Sequence, residues 1–204
     1  MSKNLKTAKN NLIKGAILTA AREIVEDSGF AELSIRKLAK KVGYSPGNIY
    51  QYFESKDQII KELVQSGYQK IVTSLKTEIE FATAEAEIRY KFEKYIESAL
   101  ENKHYYKSVM LSQDEEVCRL TSTLKDNSNK NKSALNNLQK LIESGQKTGE
   151  FKEGESEIKA QLIWTATFGL IIRMIMENIS DAEKQSSLIK NHFDLIFAGL
   201  KKGE

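Results

Sequence analysis

The chain contains a single proline, Pro46, among its 204 residues. Proline interrupts helices, so its near absence favours long unbroken ones. Apolar residues elsewhere mostly recur at the three- and four-residue spacing of helix faces, which predicts an all-α fold. At the first position of a helix a proline loses no hydrogen bond, because that N–H would be unpaired anyway, and Ser45 can cap the same end. We therefore predict a short helix from Pro46 to about Phe53.

A second helix with its own start and stop signals precedes this one. Ser34 can cap a helix from Ile35 to Val42, in which the apolar side chains share one face. Gly43 follows at the position where a left-handed residue commonly ends a helix. The order of helix, glycine turn and capped helix predicts a helix-turn-helix.

Three further segments complete the N-terminal part. Residues 1–10 are polar and basic, which favours a mobile arm. The segment from Ile13 to Ser28 has an apolar stripe and is predicted as the first helix. Ser55 and Gln58 form a capping box, which predicts a fourth helix from Lys56 to about Ser74.

The rest of the chain keeps a helical pattern. Residues 126–133 could form either a loop or a solvated helix face, and residues 145–154, with Phe151 as their apolar anchor, are predicted as a connection. The predicted helices centre on or span Ile88–Ala99, Tyr105–Met110, Leu135–Ile142, Glu155–Asn178 and Ala182–Leu200. Residues 162–176 are apolar nearly all round, so we expect them to be covered on several sides.

Charge is unevenly distributed along the chain. Residues 1–60 carry ten basic and six acidic side chains, a net charge of +4, whereas the other 21 basic and 22 acidic side chains give −1. A basic excess beside a helix-turn-helix is what binding to a polyanion requires. A lysine-rich face that is merely solvated would give the same numbers.

The short helix has two predicted faces. Ile49 and Phe53, four residues apart, should point into the core, with Tyr50 at the boundary. Asn and Gln amides can pair with adenine, and tyrosine hydroxyls and lysine ammonium groups suit phosphates. The alternative is that Ser45 and Pro46 only cap a helix and that the polar residues are simply solvated. The residues predicted to face outward are Gly47, Asn48, Gln51 and Tyr52.

The segment from Leu33 to Lys56 resembles the head of the tetracycline-repressor-like (TetR) family of bacterial transcription regulators. A Tyr-x-Tyr-Phe-x-Ser-Lys sequence after a Gly-x-Ser turn is characteristic, and the resemblance covers residues 10–65. It implies about nine helices in all, with an N-terminal arm and helix-turn-helix domain in residues 1–55 and a regulatory and dimerisation domain in residues 56–204. The resemblance implies that operator DNA contacts Arg36, Lys37, Ser45, Pro46, Gly47, Asn48, Tyr50, Gln51, Tyr52 and Lys56.

The same resemblance implies a homodimer, because a single short recognition helix makes too few base contacts for a unique site. The alternative is that the last two helices form the core of a monomer. The dimer contacts implied are Leu162, Ala166, Gly169, Ile172, Met176, Leu188, Phe193, Ile196 and Leu200.

Family members commonly bind a small hydrophobic or amphipathic effector in the C-terminal part, although such aromatic and Met residues are more often plain core. Arg173 could pair with an anionic ligand or, as we favour, with Glu177. The candidate pocket residues are Tyr68, Phe92, Tyr95, Tyr106, Met110, Trp164 and Phe168.

Catalysis is not expected. The two histidines, His104 and His192, and the single cysteine, Cys118, have no metal-ligand spacing, and no phosphate loop or nucleophile motif is present. We predict a cytoplasmic regulator without cofactor, metal or membrane contact, since we find no signal peptide and no apolar run of about 18 residues. Repression released by an effector is the family's common mode, with activation or ligand-independent regulation as alternatives. The rival class is a helical protein-interaction module whose lysines bind an acidic partner.

Overall fold

The structure, a computed structural model, describes residues 3–74, 79–121 and 133–201. In these ranges it contains ten α-helices, one short 3-10 helix and no strand, so the predicted all-α fold is confirmed. The elements are α1 (Lys3–Ser28), the 3-10 helix (Phe30–Glu32), α2 (Ile35–Val42), α3 (Pro46–Ile49), α4 (Lys56–Ser74), α5 (Ala84–Glu101), α6 (Lys103–Met110), α7 (Glu115–Thr121), α8 (Ser133–Lys147), α9 (Ser156–Met176) and α10 (Ala182–Leu200).

The helix-turn-helix begins and ends at the predicted signals. Ser34 Oγ accepts a hydrogen bond from Lys37 N at 3.2 Å, and Ser45 Oγ accepts one from Asn48 N at 3.2 Å. Gly43 has φ 71°, the left-handed conformation that a glycine adopts without steric cost. Local side-chain chemistry therefore fixes the bounds of α2 and the start of α3.

The predicted capping box at the start of α4 is also present. Gln58 N donates to Ser55 Oγ at 3.1 Å, and Glu54 N donates to Gln58 Oε1 at 2.7 Å. These two bonds satisfy backbone donors at a helix end that would otherwise be unpaired.

Two predicted boundaries were wrong. Residues 3–10, predicted as an arm, are helical and belong to α1, because extending an existing helix costs little when no proline or glycine intervenes. α3 ends at Ile49 instead of continuing to Phe53. Gln51 N donates to Asn48 O and Tyr52 N donates to Ile49 O, which are the tighter i to i−3 bonds of a 3-10 turn.

The described helices belong to two compact units, which we call unit 1 (residues 1–70 and 104–122) and unit 2 (residues 71–103 and 123–204). Unit 1 combines the predicted head with most of α4 and with α6 and α7, so it is not one continuous range. The sequence division at residue 55 stays a prediction.

Unit 1 has a buried apolar core to which α1, α2, α3, α4, α6 and α7 contribute. Tyr105 of α6 donates its hydroxyl to Leu63 O at 2.6 Å, and Ser108 donates to Val25 O at 2.9 Å. Burial raises the pKa of Tyr105 to about 12, so the hydroxyl remains a donor at neutral pH. Side-chain hydrogen bonds thus attach α6 to α4 and α1.

Unit 2 is built from α5, α8, α9 and α10 around an aromatic cluster. Phe92 lies in edge contact with Trp164 and Phe193, at centroid distances of 6.0 and 5.9 Å. Phe151, the predicted anchor, is fully buried, and a Cβ on Gly145 would come within 2.3 Å of its ring. A side chain at Gly145 would therefore displace the anchor.

α9 corrects one further expectation, that the chain contains no apolar run of about 18 residues. By length and composition alone α9 could cross a membrane, and about a third of its most apolar window is buried. Core helices of soluble proteins also have this property.

Candidate nucleic-acid interface

Unit 1 exposes a continuous polar surface on α2, α3 and the turn that follows. Ile49 and Phe53 are fully buried, which holds α3 against the core with its other side outward. Most of the predicted DNA contacts have exposed side chains or, at Gly47, an exposed backbone: Arg36, Lys37, Ser45, Pro46, Gly47, Asn48, Tyr50 and Gln51. The predicted outward positions of Gly47, Asn48 and Gln51 are therefore confirmed, whereas their contact with DNA stays a prediction.

Two tyrosines have different positions from those predicted. Tyr50, predicted at the boundary, is 54% exposed, whereas Tyr52, predicted to face outward, is half-buried against the core of unit 1. The reason is the early end of α3. In a 3-10 turn successive side chains rotate further than in an α-helix, which turns Tyr52 inward.

Acidic side chains already contact several of the cations near this surface. Lys37 Nζ lies 3.2 Å from Glu32 Oε2, Lys41 Nζ 2.9 Å from Glu23 Oε2, and Lys56 Nζ 3.9 Å from Asp114 Oδ2. The hydrogen bond that Lys41 donates to Glu23 raises the pKa of Lys41, which keeps that lysine charged. Exposed ion pairs are weak, so DNA phosphates can compete for these lysines.

Two of the four cations of α2 have no ion-pair partner among the described residues. Arg36 and Lys40 are exposed, and neither has an acidic partner within 4 Å there. Lys40 was not predicted as a DNA contact, although its spacing of four residues from Arg36 places both on one helix face. The four-residue spacing from Arg36 is the sequence feature that could have identified Lys40 as a candidate DNA contact.

The surface over Gly47 is open. A Cβ on this residue would have only Ser45 Oγ within 4 Å, at 3.8 Å. Another molecule can therefore approach the α3 backbone closely at this point.

Two of the predicted pocket residues line a cavity in the described part of unit 2. Unit 2 has a cavity of about 50 Å³, whose lining includes Phe92 and Trp164 together with Lys91 and Asn137. Tyr95 stacks on Trp164 at 5.3 Å, and Phe168 is half-buried. Only Phe92 and Trp164 among the predicted residues therefore line this cavity, and the effector pocket stays a prediction.

Two other predicted pocket residues, Tyr106 and Met110, belong to unit 1. Tyr106 is buried in unit 1, and Met110 packs against the core of that unit. The side chain of Tyr68 lies outside the described residues.

The predicted dimer contacts divide into exposed and buried groups. Leu162 (65% exposed), Ala166, Gly169 and Met176 form one exposed stripe on α9. Phe193 is fully buried, so its assignment to a surface was wrong.

The assignment of Ile172 to the dimer interface was wrong for the same reason, since Ile172 is also buried in unit 2. Both residues follow the helical period, but their side chains point toward their own core. The remaining three residues, Leu188, Ile196 and Leu200, are half-buried.

Sequence reasoning also missed two exposed apolar residues. Ile158 is four residues before Leu162 on the α9 stripe, and Leu195 on α10 is 77% exposed. The spacing of four could have identified Ile158. The predicted ion pair between Arg173 and Glu177 is confirmed.

Comparison with known proteins identifies the same segment. The family described as "Bacterial regulatory proteins, tetR family" matches residues 17–63, which contain α2 and α3. The fatty acid metabolism regulator protein of Bacillus subtilis (strain 168) is 25% identical over 188 residues, which cover 90% of this chain and 93% of that protein. The transcriptional regulator UidR of Escherichia coli (strain K12) is 33% identical over 64 residues, about a third of each chain.

The fold has relatives among solved structures. The fatty acid degradation regulator FadR from Bacillus halodurans superposes with a TM-score of 0.72 at 20% identity, covering 90% of this chain and 94% of that one. At this identity the similarity shows the fold. The matched family and the curated relatives are regulators of transcription, not enzymes, and the matched segment contains the exposed polar surface described above. The part of the chain that holds α2 and α3 thus matches the tetR family of bacterial regulatory proteins.

Proposed function

We propose that this DNA-binding transcription regulator is a cytoplasmic homodimeric repressor, released from its operator by a small apolar or amphipathic effector. The observation that supports the DNA-binding part most directly is the arrangement of α3. The cap at Ser45 and the buried Ile49 and Phe53 leave Asn48 and Gln51 exposed, and their amides can pair with adenine in the major groove.

We expect a dimer because the exposed side of α3 is too small to contact enough base pairs for a unique DNA site. Regulators of this family bind operator DNA and function as dimers. Two heads separated by one DNA turn, about 34 Å, read two half-sites. The exposed apolar stripe of α9, defined as Ile158, Leu162, Ala166, Gly169 and Met176, is the surface that we propose for the dimer contact, because such a stripe gains stability when another subunit covers it.

We further propose that the regulated genes serve fatty-acid metabolism. Two relatives that align with at least nine tenths of this chain are named for that role, one in Bacillus subtilis and one in Bacillus halodurans. Fatty acids of graded chain length are therefore the first effectors to test. In the proposed mechanism, effector binding moves the two DNA-binding heads of the dimer out of register with the DNA. The alternative modes of regulation are activation and regulation that does not depend on a ligand.

Selection of genomic fragments with the purified protein tests the function directly. We expect enrichment of sites with two related half-sites. On the selected operator, Asn48→Ala and Gln51→Ala should change base preference, each costing about 1–3 kcal/mol at the base pair it reads. Lys56→Ala should weaken binding to operator and unrelated DNA alike, and should reduce the salt slope by about 0.9.

Two results would contradict the proposal. If the protein binds every duplex equally, it is a helical protein-interaction module whose lysines attract DNA without sequence preference, and not a sequence-specific regulator. An operator complex that no fatty acid dissociates would remove the effector class while leaving the DNA-binding function intact.

A further inference from the structure

We propose that Asp114 competes with DNA phosphate for Lys56, and so limits the affinity of the head for all DNA. The proposal rests on the phosphate-binding role of Lys56 given above. Lys56 Nζ lies 3.9 Å from Asp114 Oδ2, and the two side chains are 34% and 22% exposed. These residues are 58 positions apart in sequence, so only the fold of unit 1 brings them together.

Asp114 is the fixed member of the pair. Its Oδ1 atom accepts hydrogen bonds from Glu116 N at 3.1 Å and Val117 N at 3.3 Å, which cap the start of α7. Its own N–H donates to Ser112 Oγ at 3.1 Å. Val117 is fully buried in the core of unit 1, so α7 is anchored where the cap forms. The carboxylate therefore cannot leave Lys56 without uncapping α7.

Lys56 is the movable member of the pair. Its ammonium is at the end of a flexible four-carbon side chain, and 3.9 Å is longer than a direct charge-assisted hydrogen bond of about 2.8 Å. The pair is thus loose enough for a phosphate oxygen to replace the carboxylate. A phosphate that does so approaches a fixed negative charge, which makes its binding less favourable than binding to an unpaired lysine.

The effect of Asp114 should not depend on DNA sequence, because phosphates carry no sequence information. Asp114 would lower affinity for operator and unrelated DNA by the same factor. The same carboxylate caps α7, so any rearrangement of the connection between α6 and α7 that displaces Asp114 would change the charge facing the DNA.

The test compares two substitutions that remove one negative charge each. Asp114→Asn keeps the size and capping ability of the side chain, since Asn caps helices as well as Asp does. Glu115→Gln is the matched control, because Glu115 is the next residue, is exposed, and has no ion-pair partner in the described part of the chain. Both are made in the wild-type chain and in Lys56→Ala, and thermal unfolding checks that each variant is folded.

Dissociation constants are measured over a range of salt on the selected operator and on an unrelated duplex. We expect Asp114→Asn to bind both about two- to fivefold more tightly, as loss of a weak competing ion pair allows. Its salt slope should steepen by less than the value of about 0.9 that one full phosphate contact carries. Glu115→Gln should stay close to wild type, and the gain from Asp114→Asn should largely disappear in Lys56→Ala.

Two outcomes overturn the inference. One is that Asp114→Asn and Glu115→Gln behave alike. The other is that the gain persists undiminished in Lys56→Ala, which would mean general charge repulsion without competition for this lysine. Failure of the underlying function looks different, because Lys56→Ala would then leave DNA binding and its salt slope unchanged.

Discussion

The exposed sides of α3 and α9 differ in chemistry, although both are helices held to a core by buried apolar residues. α3 exposes Gly47, Asn48 and the polar turn after it, whereas α9 exposes Leu162, Gly169 and Met176. A polar, basic surface suits a polyanion, and an exposed apolar stripe suits another protein surface. Each unit therefore has an exposed surface suited to a different class of partner.

The largest expected effect is on the α9 stripe. Leu162→Asp should dissociate the dimer, because a two-fold interface loses the burial of this leucine twice, about 3–6 kcal/mol. The dimer dissociation constant should therefore rise at least about a hundredfold. Sedimentation at micromolar concentration measures it.

Leu12→Asp is the matched control for that experiment, since Leu12 is an exposed leucine of α1 in unit 1. It should leave the oligomeric state unchanged. If the wild-type chain sediments as a monomer, the proposal that the α9 stripe contacts a second subunit is wrong.

The next largest effect distinguishes the buried residues of α3 and the turn after it from the exposed ones. Phe53→Ala should lower the free energy of unfolding by about 3–5 kcal/mol, because it empties a fully buried site. Tyr50→Ala removes an exposed ring, so it should change stability by less than about 0.5 kcal/mol but weaken operator binding. Chemical denaturation and binding isotherms measure the two effects, and equal losses of stability would contradict the assignment of faces.

A smaller effect distinguishes two glycines of the helix-turn-helix. Gly43→Ala should destabilise the protein by about 1–2 kcal/mol, because Gly43 is left-handed at φ 71°. Gly47→Ala meets open space and has no positive φ, so it should preserve stability yet weaken DNA binding by placing a methyl group at the interface. A stable Gly43→Ala variant, measured by thermal unfolding, would show that this turn tolerates another geometry.

The smallest effect is a pH dependence in unit 2. His192 is half-buried on α10, its Nε2 atom lies 3.1 Å from Oγ1 of the buried Thr167, and burial lowers its pKa below the usual 6.5. In the window from 6.5 down to that lowered pKa the unfolded chain binds more protons than the folded one. Stability should therefore be full above pH 6.5 and decrease as pH falls through this window.

His192→Gln is the variant that isolates this effect. Unfolding measured between about pH 7.5 and about pH 5.5 should show a smaller decrease in the variant than in the parent chain. The same decrease in both would mean that other groups cause it.

Local signals made most of the helix-turn-helix predictable. Ser34, Ser45 and Ser55 each mark a helix start through a hydrogen bond to a backbone N–H three residues on, so neighbouring sequence suffices to locate them. The exposed positions of Asn48 and Gln51 followed from counting along the helix. Tyr52 was misplaced because the end of α3 depends on backbone tightening that no side chain signals.

Contacts between distant residues were not predictable in the same way. Periodicity showed that Leu162, Ile172 and Phe193 belong to apolar stripes, but could not tell which stripe faces the unit's own core. The pocket candidates stay a prediction for a related reason, since aromatic residues at helical spacing serve a core as readily as a cavity.

The sequence by itself determined the helical class, the starts of α2, α3 and α4, and the polar chemistry of the reading surface, because capping and periodicity act over a few residues. Packing between distant segments was needed to show that Tyr52 turns inward, that Phe193 is core, and that Asp114 lies beside Lys56. Those facts depend on packing between segments far apart in the chain, and the free energy of such packing is set by the whole unit.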